Sequence, residues 1–225
     1  MKIAIYTLTR DRLEYTKHCF ASLSRNAGYP YDHFILDNGS TDGTQIWLQN
    51  QKFHHVTLLP SNIGISAGSN LMLNEIFKGD YDLIIKMDND CEIVTTNILV
   101  PVVKIFKTLR KRNESLILSP HVIGINKQPS RAYFIKRSGW RIGITGIVGG
   151  LFHIVQSDIY RKYSYPDALP KAWGQDDHFC EWARVNNIMK GYIEDIIVNH
   201  FETTNGQCAR FPEYFERKWK EEKLL

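Results

Sequence analysis

Hydrophobic residues follow two rhythms through the first half of the chain. Short apolar blocks alternate with stretches whose apolar positions lie three and four apart. Lys2–Thr9 is a β-branched and aromatic run of the kind that forms a strand covered on both faces. Arg12–Asn26 then sets Leu13, Thr16, Phe20 and Leu23 at helical spacing. The pattern predicts further strands at Asp32–Asp37, His55–Leu59 and Tyr81–Met87, and helices at Gly43–Gln51, Gly64–Phe77 and Thr96–Arg112. Such alternation implies an α/β fold: a three-layer α/β/α sandwich, Rossmann-like, around a mostly parallel mixed sheet.

The second half is less regular. Leu116–Ser119 and Ile196–Phe201 read as strands, Gln175–Val185 as a helix, and Pro212–Leu225 as a charged terminal helix. Asn126–Arg141 is polar and carries Lys127, Arg131, Lys136, Arg137 and Arg141 without an acid. Ile142–Val155 is Gly-rich and β-branched. No repeat or low-complexity linker divides the chain, so residues 1–225 are expected to form one domain: a first half over 1–113, a second over 114–210 and a C-terminal helix over 211–225.

Composition narrows the class. The chain has 225 residues, 43% hydrophobic and 23% charged, which excludes a disordered or collagen-like protein. Lys+Arg 28 against Asp+Glu 24 gives a net charge of +4, compatible with an anionic ligand and too mild to demand nucleic acid. The cysteines at 19, 91, 180 and 208 form no CxxC pair, which argues against a zinc knuckle or a disulfide scaffold. The N-terminal apolar run is broken by Arg10, Asp11 and Arg12, too early for a signal peptide or a membrane span. A cytoplasmic setting is expected, with peripheral contact at a membrane compatible.

Candidate chemistry clusters at strand ends, where ligands of open α/β sheets bind. Asp88-Asn89-Asp90 follows the apolar run Leu83-Ile84-Ile85. Two carboxylates so close repel unless a cation sits with them, and hard divalent ions prefer oxygen ligands. Asp and Asn are also the commonest turn residues, so the same tripeptide reads as a capped turn. Asp37 closes another strand, where its carboxylate could accept from the N–H of a base. Ser61-Asn62-Ile63-Gly64 opens a helix whose free N–H groups could face an anion. Asp176 and Asp177 stand in a first helical turn, as solvated acids or as a base for an acceptor hydroxyl. His200 ends an apolar strand, as a packed histidine or as a metal ligand.

The order of these signals is more specific than any one of them. The chain runs from a strand ending in Thr-x-Thr to Asp37-Asn-Gly-Ser-Thr-Asp-Gly-Thr, Asn62-x-Gly64, Asp88-Asn89-Asp90, Gly149-Gly150, Trp173-Gly174-Gln175-Asp176-Asp177 and a strand ending in His200. This resembles the family 2 glycosyltransferases, which have the A-type glycosyltransferase fold, over about residues 1–205.

The resemblance implies an inverting, metal-dependent glycosyltransferase. It would move a sugar, as a hexosyltransferase does, from a nucleoside-diphosphate donor, UDP first, to a hydroxyl of a glycan, a lipid-linked or another acceptor in glycan or cell-surface polysaccharide biosynthesis. It implies that 1–113 binds the nucleotide through Thr7, Thr9, Asp37, Asn62, Gly64, Asp88 and Asn89. Mn²⁺ or Mg²⁺ would sit on Asp88, Asp90 and His200. Asp176 would be the catalytic base, with Gly149, Gly150, Trp173, Gln175 and Asp177 beside donor sugar and acceptor in 114–210. The chain departs from the family pattern in places. Gln175 stands where Glu is common, Ser69 precedes Asn70 where Arg is common, and the first motif reads Thr9-Arg10-Asp11-Arg12 where an aromatic followed by Asn is common.

Other readings compete. A sugar-nucleotide pyrophosphorylase needs a Gly-rich phosphate loop after the first strand, and Thr7-Leu8-Thr9-Arg10-Asp11 has no glycine. A non-catalytic nucleotide-sugar or carbohydrate-binding module on the same fold is the main alternative, with Gln175 in its favour. A nucleic-acid surface would need basic and aromatic residues interleaved, which only Arg131–Arg141 approaches.

Overall fold

In a computed structural model that describes residues 1–167, 169 and 174–223, the first half is built as the pattern predicts. Strands β1 (Ile3–Thr9), β2 (Asp32–Asp37), β3 (His55–Leu58) and β4 (Leu83–Met87) alternate with helices α1 (Leu13–Asn26), α2 (Thr44–Gln49) and α3 (Ile65–Ile76). A short β5 (Cys91–Ile93) leads to α4 (Leu99–Lys111) and β6 (Leu116–Ile123). The rest comprises β7 (Tyr133–Arg137), β8 (Trp140–Thr145), β9 (Phe152–Gln156), α5 (Ser157–Tyr160), α6 (Gln175–Val185), β10 (Met189–His200), α7 (Thr204–Arg210) and α8 (Pro212–Lys223).

The ten strands of the described residues join one sheet in the order β3-β2-β1-β4-β9-β6-β10-β8-β7, with β5 paired to β10. The four strands β3-β2-β1-β4 are parallel, and β10 runs parallel to β6. The strands β9, β8, β7 and β5 join antiparallel. Successive residues of the central strands feed opposite faces of the sheet. Ile3 and Ile5 pack with Phe20 and Leu23 of α1 and Val102, Ile105 and Phe106 of α4, whereas Ala4 and Tyr6 pack with Met72 and Ile76 of α3 and Phe179 of α6. Both faces are covered by apolar side chains, which explains the apolar runs of these strands. Strand order reverses direction between β1 and β4, so the crevice beyond their carboxyl ends is the expected ligand position.

The second half differs most from the sequence expectation. The basic stretch 126–141 leads from a loop into the hairpin β7–β8, turning at Ser138 and Gly139 with φ 50° and 87°, the left-handed pair a tight hairpin turn requires. Its arginines are engaged: Arg137 Nε donates to Glu114 Oε2 at 2.6 Å and Arg131 Nε to Glu194 Oε1 at 2.6 Å. The last strand starts at Met189 rather than Ile196, because its first part pairs with β6 and β8 at once. Among the described residues no helix is long and apolar enough to cross a membrane.

Candidate active site at the strand ends

The cleft opens where β1, β4 and β10 end. It holds a cavity of about 280 Å³ whose wall includes Thr9, Asn38, Asn62, Asp88, Asp90 and His200. Most of the nucleotide and metal residues expected from sequence therefore converge. Asp37 lies just behind them, 0% exposed. It accepts from Thr9 Oγ1 at 2.9 Å, Ser40 N at 2.8 Å, Ser40 Oγ at 2.5 Å and Gln45 Nε2 at 2.8 Å. A carboxylate has about four lone-pair sites, so all are filled and Asp37 organises the turn. Thr7 does not reach the cleft: its hydroxyl lies 3.0 Å from His33 Nε2, and it is 0% exposed.

Asn38, which the sequence marks with Gly39 as a turn, positions the next loop. It accepts from Ile63 N at 2.8 Å and donates to Gly64 O at 3.2 Å. Asn62 Oδ1 accepts from Gly64 N at 2.9 Å, and its amide donates to Glu221 Oε2 of α8 at 2.9 Å. Gly39, at φ 77°, lies so close to this loop that a Cβ would stand 2.7 Å from Ser61 Cα.

Each acidic residue of the Asp88-Asn89-Asp90 turn meets a protein cation. Lys86, buried in β4, donates to Asp88 Oδ1 at 2.7 Å and to Gly150 O at 2.5 Å. Burial opposes its charge, but Asp88 and Asp176 outweigh burial and raise its affinity for the proton. Asp90 Oδ2 accepts from Arg12 Nη1 at 3.0 Å and from Gln207 Nε2 at 3.3 Å, and lies 3.7 Å from His200 Nε2. Burial works against ionising Asp90, and Arg12 with His200 reverses this, holding its carboxyl below the usual range. Asn89 ties Arg12 to α1, accepting from Arg12 Nη2 at 3.1 Å and donating to Thr16 Oγ1 at 2.9 Å. Among the described residues no three His, Cys, Asp or Glu side chains are gathered as a metal site.

The residues expected beside donor sugar and acceptor are tied to the same turn. Asp176, in the first turn of α6, accepts from Gly150 N at 2.7 Å, and Gly150 O in turn takes Lys86. Asp176 and Asp88 are thus joined through one glycine and one lysine. Gly149 N donates to Tyr192 Oη at 2.9 Å. Gln175 is buried, with its amide 3.5 Å from Ser66 Oγ, and Asp177 is exposed to solvent. Trp173 lies outside the described residues.

A sequence model of glycosyl transferase family 2 matches residues 4–126. The chain belongs to this family. No curated protein matches it. Among solved structures of this family 2 chain's fold, TarS 1-349 of S. aureus superposes at TM-score 0.65, with 15% identity over 98% of this chain and 65% of that one. The family 2 chain spans 37% of the longer TarS structure. A mannosyltransferase from Pyrobaculum calidifontis, solved with GDP-Man and Mn²⁺, matches at TM-score 0.62 and 15% identity over 88% of this chain and 56% of that one. GalNAc-T7, solved with UDP, GalNAc and Mn²⁺, matches at TM-score 0.66 and 11% identity over 88% and 43%. These likenesses establish the fold, and the matched segment 4–126 spans β1 to β6 and the Asp88–Asp90 turn.

Sequence reasoning missed three participants. Lys86 had a signal, since a lysine inside the apolar run of a buried strand is rare without a partner. Arg12 stood in the first motif, where the chain departs from the family pattern, and Gln207 had no signal: the two meet Asp90 from opposite ends of the chain.

Proposed function

We propose that this family 2 glycosyltransferase moves a sugar from a nucleoside-diphosphate donor, UDP-sugar first, to an acceptor hydroxyl with inversion. Its setting would be glycan or cell-surface polysaccharide assembly in the cytoplasm or at a membrane surface. The donor would lie over the ends of β1 and β4, near Thr9, Asn62 and Asn89. Asp176 would take the proton of the acceptor hydroxyl as its oxygen bonds to the anomeric carbon. The bond from that carbon to the diphosphate breaks from the opposite face, and the electron pair leaves on the nucleotide. One displacement inverts the configuration. TarS has been solved with UDP and with UDP-GlcNAc, which favours a uridine donor here, and the mannosyltransferase with GDP-Man keeps guanosine as the second choice.

One observation supports this assignment above the others. Asp176 and the Asp88–Asp90 turn, far apart in sequence, are held on one rim through Gly150 and Lys86. A base and a diphosphate site must be that close for a single displacement. An expected Mn²⁺ or Mg²⁺ on Asp88, Asp90 and His200 would have to share carboxylates that already take Lys86 and Arg12. The proposal therefore routes no step through an ion.

The test is release of UDP or GDP from a panel of their sugars when oligosaccharide acceptors are added. Asp176→Asn should keep nucleotide affinity and lose roughly 100- to 10,000-fold in transfer. Retention of most activity would place the base elsewhere, and no release by the wild type would favour a binding module.

A further inference from the structure

Arg12 closes the first motif, where the chain departs from the family pattern. Asp11 and Arg12 form a left-handed pair, φ 52° and 57°, a conformation costly for side chains of this size. The kink sends Arg12 inward, where its side chain is 10% exposed. Nη1 donates to Asp90 Oδ2 at 3.0 Å and Gln207 Oε1 at 2.7 Å, and Nη2 donates to Asn89 Oδ1 at 3.1 Å. The guanidinium carbon stands 4.8 Å from the ring centre of Tyr214 in α8. The β4–β5 turn, α7 and α8 thus all hold one cation against Asp90.

The surrounding charge agrees. Arg10, Arg12, Lys86 and Lys218 line the cleft against Asp88 and Asp90. Arg10 is offset by Glu221, to which it donates at 2.5 and 2.8 Å, so Arg12 is the guanidinium that serves Asp90. A diphosphate entering this wall meets positive charge already in place, which attracts it without Arg12 giving up Asp90. A dication aimed at Asp90 meets Arg12 on the same oxygen, and one aimed at Asp88 meets Lys86.

We propose that Arg12 supplies, at Asp90, the positive charge for the donor's diphosphate, so that the nucleotide binds without a divalent ion. This rests on the nucleotide-sugar reading of the cleft.

The experiment titrates the full chain by calorimetry with UDP and with GDP, in EDTA and in Mn²⁺, and titrates the nucleotide-free protein with Mn²⁺ alone by loss of the free-ion EPR signal. Wild type should bind one nucleotide with affinities within about threefold in the two buffers and leave millimolar Mn²⁺ free. Arg12→Met should lose at least about tenfold of the EDTA affinity, the scale of a charged hydrogen bond, and should bind Mn²⁺. Asp90→Asn guards against misfolding of that variant: it keeps nucleotide binding in EDTA if Arg12 supplies the charge that the diphosphate meets, and it loses binding in Mn²⁺ if Asp90 serves to hold an ion. Nucleotide binding that depends on Mn²⁺ in wild type overturns the proposal, as does tight Mn²⁺ binding unaffected by Arg12→Met. Absence of binding by either nucleotide in both buffers overturns the donor-site reading instead, and the proposal falls with it.

Discussion

Gly150 donates its amide to Asp176 Oδ2 at 2.7 Å, and a Cβ at position 150 would run into that carboxylate. Its backbone is not in the left-handed region, so alanine fits the chain path there and offends only through the side chain. Gly150→Ala should push Asp176 off the rim. Transfer should fall by about 100-fold, the scale of losing a positioned base, while UDP affinity stays unchanged. Steady-state kinetics beside a nucleotide titration separates the two.

Lys86 is a buried cation with two acceptors, Asp88 and the Gly150 carbonyl. Lys86→Met keeps the stem and removes the charge, leaving both acceptors short of a donor. Asp88 is 40% exposed by side chain and is partly rehydrated, so the loss should be about 1–3 kcal/mol rather than that of a fully buried pair. Urea unfolding reads this directly. A loss below about 0.5 kcal/mol would mean that Lys86 contributes little to the site.

Two histidines should set the acid limb of stability. Burial pushes His33 down to about 3 and also lowers His153, whose Nε2 lies 3.3 Å from Val148 O. In the unfolded chain both take a proton near pH 6.5. Between that pH and the folded value the unfolded state binds more protons, so stability falls as the pH falls. For His33 the window runs from about 6.5 down to about 3. His33→Gln should flatten the fall measured by urea unfolding between neutral pH and pH 5. An unchanged slope would assign the titration to other groups.

The thiols predict a labelling pattern. Cys19 and Cys91 are buried with sulfurs 3.8 Å apart, and both donate to the Asp88 carbonyl at 3.4 and 3.2 Å. The Cys19 hydrogen bond, with burial, drives the Cys91 thiol well up, and burial pushes Cys180 up to about 11. Thiolate is the reacting form. A disulfide reagent should label Cys208 quickly in the native protein and the other three only after denaturation. Fast labelling of a second cysteine would show that the core behind Asp88 opens.

Legibility followed the source of each signal. Strands β1, β2 and β4 were plain in the sequence because both faces of their central parts are buried, so apolar residues run together there and polar ones gather towards the ends. The hairpin β7–β8 was not, since it lies at the sheet edge with Tyr133 and Phe134 exposed, and its arginines looked like a free basic surface until Glu114 and Glu194 arrived from elsewhere. Asp88, Asp90, Asn62 and His200 stood out by their place at strand ends, and the fold brings them to one cleft. Thr7 stood out for the same reason and faces His33 in the interior, because the outcome turned on a one-in-two alternation of side chains.

The order of apolar and polar positions along this chain was enough to specify the parallel half-sheet, its covering helices and the acidic turn at the end of β4, because local periodicity and burial act on neighbours in sequence. It could not specify which charge faces Asp90 or what joins Asp176 to Asp88. Those contacts link residues 12, 90 and 207, and 86, 150 and 176, and come into being only when distant segments close on the same cleft. Charge–charge and hydrogen-bond partners depend on distance in space, which the tertiary fold alone fixes.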